Sequence, residues 1–574
     1  MKRKIVLALF LMSAIFLFTG AKKIQLWLNG PDYEYGHNVS MCGVYASESS
    51  ADKNGKFIPV LAGLGHHHYR INTKSDSTQI YFDQGLTFYN SFHFTEALAS
   101  FKEAARFDEN CVMAYWGQAL ALGPYYNNYY YKMSPRVPEV LMSLQRINTG
   151  AVAKENDLIN AMLQRYSSDT TNSDRKELDK RYADAMHNLT VKYPTDNDIK
   201  ALYIDAMMLC HKWDFWSPDG TPKPWTPGLV ELCENILKSD PLNPGGLHYY
   251  IHLTEASRHP ERALRYAEVL KNEMPGVSHM VHMATHSYQR NGLFVKGVSV
   301  NDDAITAFNN VDSTVPVLHL SKNNFIHIYA VQSYCAMSAG MFTKGMPIYR
   351  RVREKLMAIS PSIEKNPYAQ FVYMIPEMAY ARLGKWQEIL KEPHPDTRWK
   401  YAVVLDDFAK GLAHVRNNNI TRAKQCLNEL RSNLTDSLLA IRLMPFNKPQ
   451  QTAQIAADIL SGEILYAEGK TDKAIDAFKK AVDEEDELIY SEPHEWLIPA
   501  RQYLGYYLLK TNKATEAAKV YHDDLVANPG NGWSLLGMYN CMKAQNKLSE
   551  AAGYKLRYET AFAAADSKPV NSVY

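Results

Sequence analysis

The feature that most constrains this chain is a pair of histidines that returns after 34 residues. His248 and His252 stand four apart, and His282 and His286 repeat the pair one 34-residue step later. Residues four apart share one face of an α-helix. A period of 34 is the length of a helix–turn–helix unit that stacks on its neighbours, so equivalent positions in adjoining units lie side by side. The spacing sets both pairs on one wall, close enough for imidazoles from two helices to meet one metal ion.

Small and aromatic residues follow the same period. Tyr81, Gly85, Phe88, Ala97, Phe101 and Ala104 mark a first hairpin, and Tyr115, Ala119 and Leu122 open a second. Gly462, Leu465, Ala474, Phe478 and Ala481 mark a later unit; Gly505, Leu508, Ala517, Tyr521 and Pro529 mark another, with Ala551 following Ala517 by 34. Weaker units centre on Ala263, on Gly297 and on Gly411 with Ala423. On these residues the chain resembles the tetratricopeptide repeat (TPR) family over most of residues 78–560. The resemblance implies an all-α TPR solenoid of superhelical helix–turn–helix repeats, interrupted by aromatic and proline-rich insertions. Within that family the chain is similar to exported bacterial repeat proteins with paired helical histidines, a likeness that implies no reaction.

The expected organisation has four parts. Lys2, Arg3 and Lys4, an apolar run from Ile5 to Phe18 and the small residues up to Ala21 describe a secretory signal peptide, residues 1–21. The apolar run is short for a spanning helix, so an exported, periplasmic or extracellular protein is expected, with an N-terminal anchor as the alternative. Residues 22–77 lack a helical period, 78–391 form an array carrying the histidines, and 392–574 form a C-terminal array, with 392–398 as a hinge. Residues 212–227 hold three tryptophans and four prolines, too many prolines to continue a helix, and suggest a lid over a groove. Residues 123–135 add five tyrosines.

Composition excludes some classes. With 63 basic and 61 acidic side chains, the net charge of +2 gives no ground for a nucleic-acid partner or an anionic membrane surface. The seven cysteines form no C-x-x-C pair, which argues against a zinc ribbon or a thioredoxin-type motif, although a Cys210–Cys233 disulfide is conceivable. There is no H-E-x-x-H, phosphate loop or nucleophile elbow.

In the TPR frame, positions 2, 5, 9 and 12 of the first helix face the concave groove. The resemblance thus implies that His248, His252, Glu255, His279, His282, His286 and His327 all point into one groove. Helical geometry agrees, because 248, 252 and 255 span roughly 60° of helix circumference, as do 279, 282 and 286. Packed helices about 8–10 Å apart let imidazoles from both sides meet one ion at about 2 Å.

The expected function is a metal-dependent enzyme, an oxidoreductase or a hydrolase. Imidazole suits copper, zinc and iron alike; Met280 and Met283 lean toward copper. Glu255 is the candidate catalytic base, orienting residue or extra ligand. The rival is a TPR scaffold that binds a small-molecule, peptide or protein partner in its groove without catalysis; metal storage or delivery is a third reading. His66–His68 and His319 are possible further ligands. His494, Trp496, Arg501 and Gln502 form a polar-aromatic stretch in which Arg501 binds either an anion or a neighbouring carboxylate.

Overall fold

The computed structural model describes residues 50–574 apart from 128, 130, 148–150, 169–173, 319, 321–323, 360–362 and 443–445. The expected signal peptide, residues 22–49 of the lead-in segment and His319 lie outside the described residues. Among the described residues the chain forms twenty-four α-helices, the first at Asp76–Asn90, and no strand beyond an isolated bridge between Trp216 and Pro222. With the exception of Val137–Ile147 and Ala153–Gln164, each helix packs against the next, and first helices of successive hairpins pack on one another, which makes a TPR-type α-solenoid.

Local sequence explains the hairpins. Ser75 caps Asp76–Asn90 by accepting the Thr78 N–H at 3.2 Å, satisfying a donor that the helix cannot. Two residues past the end of the first helix, the chain repeatedly turns through a left-handed residue. Gly292, Gly340, Gly384 and Gly469 do this at no steric cost, and Asn418, Asn512 and Asn546 at little. The first hairpin is the exception, because Phe92 holds that conformation at φ 58°.

The packing that sets the repeat is a helix glycine under an aromatic ring. A Cβ on Gly85 would lie 2.6 Å from the Phe101 ring, and one on Gly462 would lie 2.5 Å from Phe478. Tyr521 presses in the same way on Gly505 and on Gly537 of the next hairpin. The two helices approach closely only because no side chain intervenes. Across 392–398 the stacking continues, with helix Pro367–Arg382 packed directly on Lys400–Arg416.

The superhelix coils back on itself. The Trp533 indole donates to Ser338 O at 3.1 Å, Arg290 reaches Asn528 Oδ1 at 2.7 Å, and Asp566 accepts the Thr343 N–H at 2.7 Å. The concave wall of the histidine repeats is covered by the aromatic insertions, as the lid reading expected, and also by C-terminal repeats that the sequence did not place there. The conceivable disulfide is also absent, since Cys210 and Cys233 are both free thiols.

Replacing Gly505 by alanine tests the packing. Alanine is a better helix former by about 1 kcal/mol, yet the added methyl collides with Tyr521, and overpacking of this kind costs about 1–3 kcal/mol. The urea midpoint of Gly505→Ala should fall; a rise would mean that the ring does not press on the helix.

Candidate metal centre

Three successive first helices carry the histidines. Helix Pro244–Thr254 starts at Asn243, whose side chain accepts the Gly246 N–H, with Pro244 preset for the first turn. It presents His248 and His252, and Glu255 is its C-cap. Helix Ser278–Arg290 carries His279, His282 and His286, and Asn324–Ser338 carries His327. All thirteen residues of Ser278–Arg290 are buried, although eight of them are polar or charged. A helix buried on every side normally reads apolar; this one buries groups that need partners.

The six imidazoles sort into two triads rather than one four-ring set. Nitrogens of His248, His252 and His279 lie within 4.8 Å of one another, as do those of His282, His286 and His327. In the first triad the His248 ring lies 4.9 Å from His252 and 4.7 Å from His279; in the second, His282 lies 4.7 Å from His286 and 5.0 Å from His327. The triads adjoin along two ring pairs, His252–His286 at 6.3 Å and His279–His282 at 6.2 Å. Each triad can hold a metal ion with modest contraction, because nitrogens about 2 Å from a tetrahedral ion stand roughly 3.3 Å apart.

Neighbouring groups fix which nitrogen is free. His248 Nδ1 donates to Asn90 O at 2.6 Å, and His282 Nδ1 donates to Asn301 Oδ1 at 2.6 Å. Asn301 is oriented in turn, because its amide donates to Gly297 O. His252 Nδ1 lies 3.1 Å from Glu255 Oε1, and His286 Nδ1 lies 2.7 Å from Glu492 Oε1. The opposite nitrogens, Nε2 of His252, His282 and His286, are buried without a hydrogen-bond partner, and His327 has both ring nitrogens buried and unpartnered. His279 Nε2 and His248 Nε2 face each other at 2.9 Å. His252, His282 and His286 thus have the arrangement of metal-ligating histidines, with one nitrogen held by a neighbour and the other left as a lone pair.

Burial shapes the protonation states. Desolvation, reinforced by the other rings, brings His248 and His327 down to about 3 and pushes His252, His279 and His282 well below the ordinary imidazole value. Glu255 and Glu492 oppose each other with unpartnered Oε2 atoms. Burial and the Glu492 charge raise Glu255 well above the carboxylate range. Burial also penalises ionised Glu492, but the positive field of His286 and a hydrogen bond from Glu255 outweigh it and hold Glu492 low. One proton shared between two carboxyls, resident on Glu255, satisfies both. The pair is thus split, with Glu255 pushed up and Glu492 held down. With His286 these two form a third group whose donor atoms lie within 4.8 Å of one another.

Aromatic residues close the centre. The Phe92 ring lies 4.5 Å from His248 and 5.6 Å from His279, and Trp213 lies 5.8 Å from His252. Both hold φ 58°, which is rare for bulky residues and costs of order 1 kcal/mol each. Strain of this kind gathers at functional sites. Tyr126 stacks between Trp213 and His252, so the tyrosine and tryptophan insertions cover the first triad.

A pocket of about 660 Å³ ends on His252 and Glu255. Its walls include Trp213, Trp216, Arg258, Arg290, Tyr490 and His494. Arg258 donates to backbone oxygens of Pro218 and Asp219, and Arg290 to those of Glu255 and Ser257. Neither guanidinium has a carboxylate partner among the described residues.

The structure brings all seven predicted residues together and leaves others out. His66, His67 and His68 pair with Glu273, Asp198 and Asp83 away from the triads. Arg501 pairs with Asp486 through both its terminal nitrogens, the neighbouring-carboxylate alternative. Gln502 is bonded to Arg382, Trp496 is buried, and Met280 and Met283 belong to the apolar core. Sequence reasoning missed Glu492, Asn90, Asn301 and Phe92, whereas Trp213 lies in the 212–227 insertion read as a lid. Phe92, where the other hairpins have Gly or Asn, was the one local signal.

No family model matches the chain, and no curated protein matches it by sequence. Among solved structures, the human IFIT1 dimer with PPP-AAAA is similar at 11% identity and TM-score 0.34, covering 86% of this chain and 96% of that one. Yeast Tom70 is similar at 12% identity and TM-score 0.30, covering 76% of this chain and 90% of its own. The class stated here, a TPR-type solenoid with a buried histidine centre, rests on this chain's own helices.

The depressed imidazoles predict acid sensitivity in chelator-treated protein. His248, His252, His279, His282 and His327 are neutral when folded and protonate readily when unfolded, so their stabilising contribution is complete above pH 6.5 and lost as pH falls toward 3. Each ring removes up to about 1.4 kcal/mol per pH unit within that window. Urea midpoints should drop steeply between pH 7 and 5; a flat profile would mean that the rings are solvated.

Proposed function

We propose that the protein is a transition-metal-dependent enzyme, an oxidoreductase or a hydrolase, built on an exported TPR-type solenoid. The observation that carries the reading is the set of four buried Nε2 atoms, on His252, His282, His286 and His327, with no hydrogen-bond partner. An unpaired buried polar atom costs about 1–3 kcal/mol, and four facing inward in one place call for a common partner. A cation bound by lone pairs is that partner. The anchored Nδ1 atoms of His248 and His282 and the carboxylate on His286 support the same reading. Copper, zinc and iron all accept imidazole.

The pocket that ends on His252 and Glu255 is the route for a small substrate. Its tryptophans offer stacking surfaces, and Arg258 and Arg290 offer donors to an acidic group. Glu255, holding a proton beside the centre, is placed to deliver it to a reacting oxygen.

A second reading is favoured by the solenoid fold itself: a scaffold that docks a peptide or protein segment in the same pocket without metal. Elemental analysis of protein purified without a histidine tag separates the two, run beside a His248→Ala/His282→Ala variant. The enzyme reading predicts at least one equivalent of a transition metal per chain, lost in the variant while helical circular dichroism persists. No metal in either protein, even after reconstitution, would leave the scaffold.

A further inference from the structure

We infer that the centre is dinuclear, with one copper(I) ion in each histidine triad and dioxygen bound between the two ions. The inference rests on the metal reading above and adds the number of ions, their identity and their small-molecule ligand.

The number follows from geometry. Six imidazoles are too many for one ion, and they divide three and three. The middle helix serves both sets, giving His279 to the first and His282 and His286 to the second. The adjoining ring pairs, at 6.2 and 6.3 Å, are no farther apart than His252 and His279 within the first triad, also at 6.3 Å. Ions in the two triads are therefore neighbours across a gap that a diatomic molecule can bridge.

The identity follows from charge. Each triad supplies three imidazole nitrogens and no thiolate, and the carboxyls that group with these rings, Glu255 and Glu492, do so at His286 alone. Two divalent ions would bring four positive charges among six buried rings. Uncompensated buried charge is expensive. Two monovalent ions halve that charge, and copper(I) is the first-row ion that is both monovalent and content with three imidazoles. Non-haem iron(II) sites, by contrast, take a carboxylate in the facial set.

The ligand follows from electron count. Two copper(I) ions give one electron each to dioxygen, forming two copper(II) ions and one O₂²⁻ unit, with bonds from oxygen to both metals and no proton transferred. The total charge is +2 before and after, so the dry site meets no new charge. Phe92, Trp213 and Tyr126 exclude water from this step. A two-electron donor entering the pocket would return both ions to copper(I).

The test titrates metal-free, full-length protein with copper(I) under nitrogen and then admits dioxygen. Two equivalents should bind, uptake should be one dioxygen per two coppers, and the product should be silent in electron paramagnetic resonance because bridged copper(II) spins pair. His327→Ala should bind one equivalent and, once oxidised, give a full single-copper signal. The wild-type stoichiometry and silence decide the matter even if that variant fails to fold. One copper per chain, or two that both give signals, would overturn the inference. Tight zinc or iron with copper excluded would overturn it while leaving the metal reading intact; no metal of any kind would overturn both.

Discussion

The structure turns on one helix that has no face toward water. Ser278–Arg290 buries three histidines, an arginine, a glutamine and hydroxyl side chains. Groups of this kind are tolerated inside a protein only when bonded. Their partners come from across the chain: the His93 ring for the His279 amide, Asn301 for His282, Glu492 for His286, and Asn528 with the Glu255 and Ser257 carbonyls for Arg290. Meeting those demands requires the C-terminal repeats to lie over the middle ones. The closure of the superhelix and the burial of the centre are one arrangement.

That arrangement still leaves the Nε2 atoms of four imidazoles unmatched, and it holds Phe92 and Trp213 in a conformation that bulky side chains avoid. Both are costs in the folded chain alone. Both make sense if the cavity between the triads is shaped for something that binds lone pairs and must be kept dry. The carboxyl pair fits the same account. Glu492 supplies one negative charge against the second triad through His286, and Glu255 keeps its proton beside the pocket floor.

Much of this was legible in the sequence, for a definite reason. Repeat stacking maps a 34-residue period onto adjacency, so His248, His252, His282 and His286 had to be neighbours, and the same frame added His279, His327 and Glu255. Gly85, Phe101, Gly462, Phe478, Gly505 and Tyr521 gave the hairpin packing directly. What the frame does not encode is how far the superhelix curls. Phe92, Trp213 and Glu492 reach the centre from other repeats, more than 30 residues from the histidines they touch, and no periodic rule links them to it. The 212–227 insertion could be read as a lid, but the cover supplied by the Glu492 segment could not. The division into two triads was hidden for a related reason, since it depends on which neighbour each ring of the middle helix faces rather than on spacing.

The most direct measurement is an anomalous difference map from crystals of the metal-loaded protein, with data collected on both sides of the metal's absorption edge. The account predicts density within about 2 Å of the free Nε2 atoms of the triads, enclosed by Phe92, Trp213 and the Glu492 segment. Peaks confined to surface histidines such as His66 and His68, with none among the six buried rings, would contradict it.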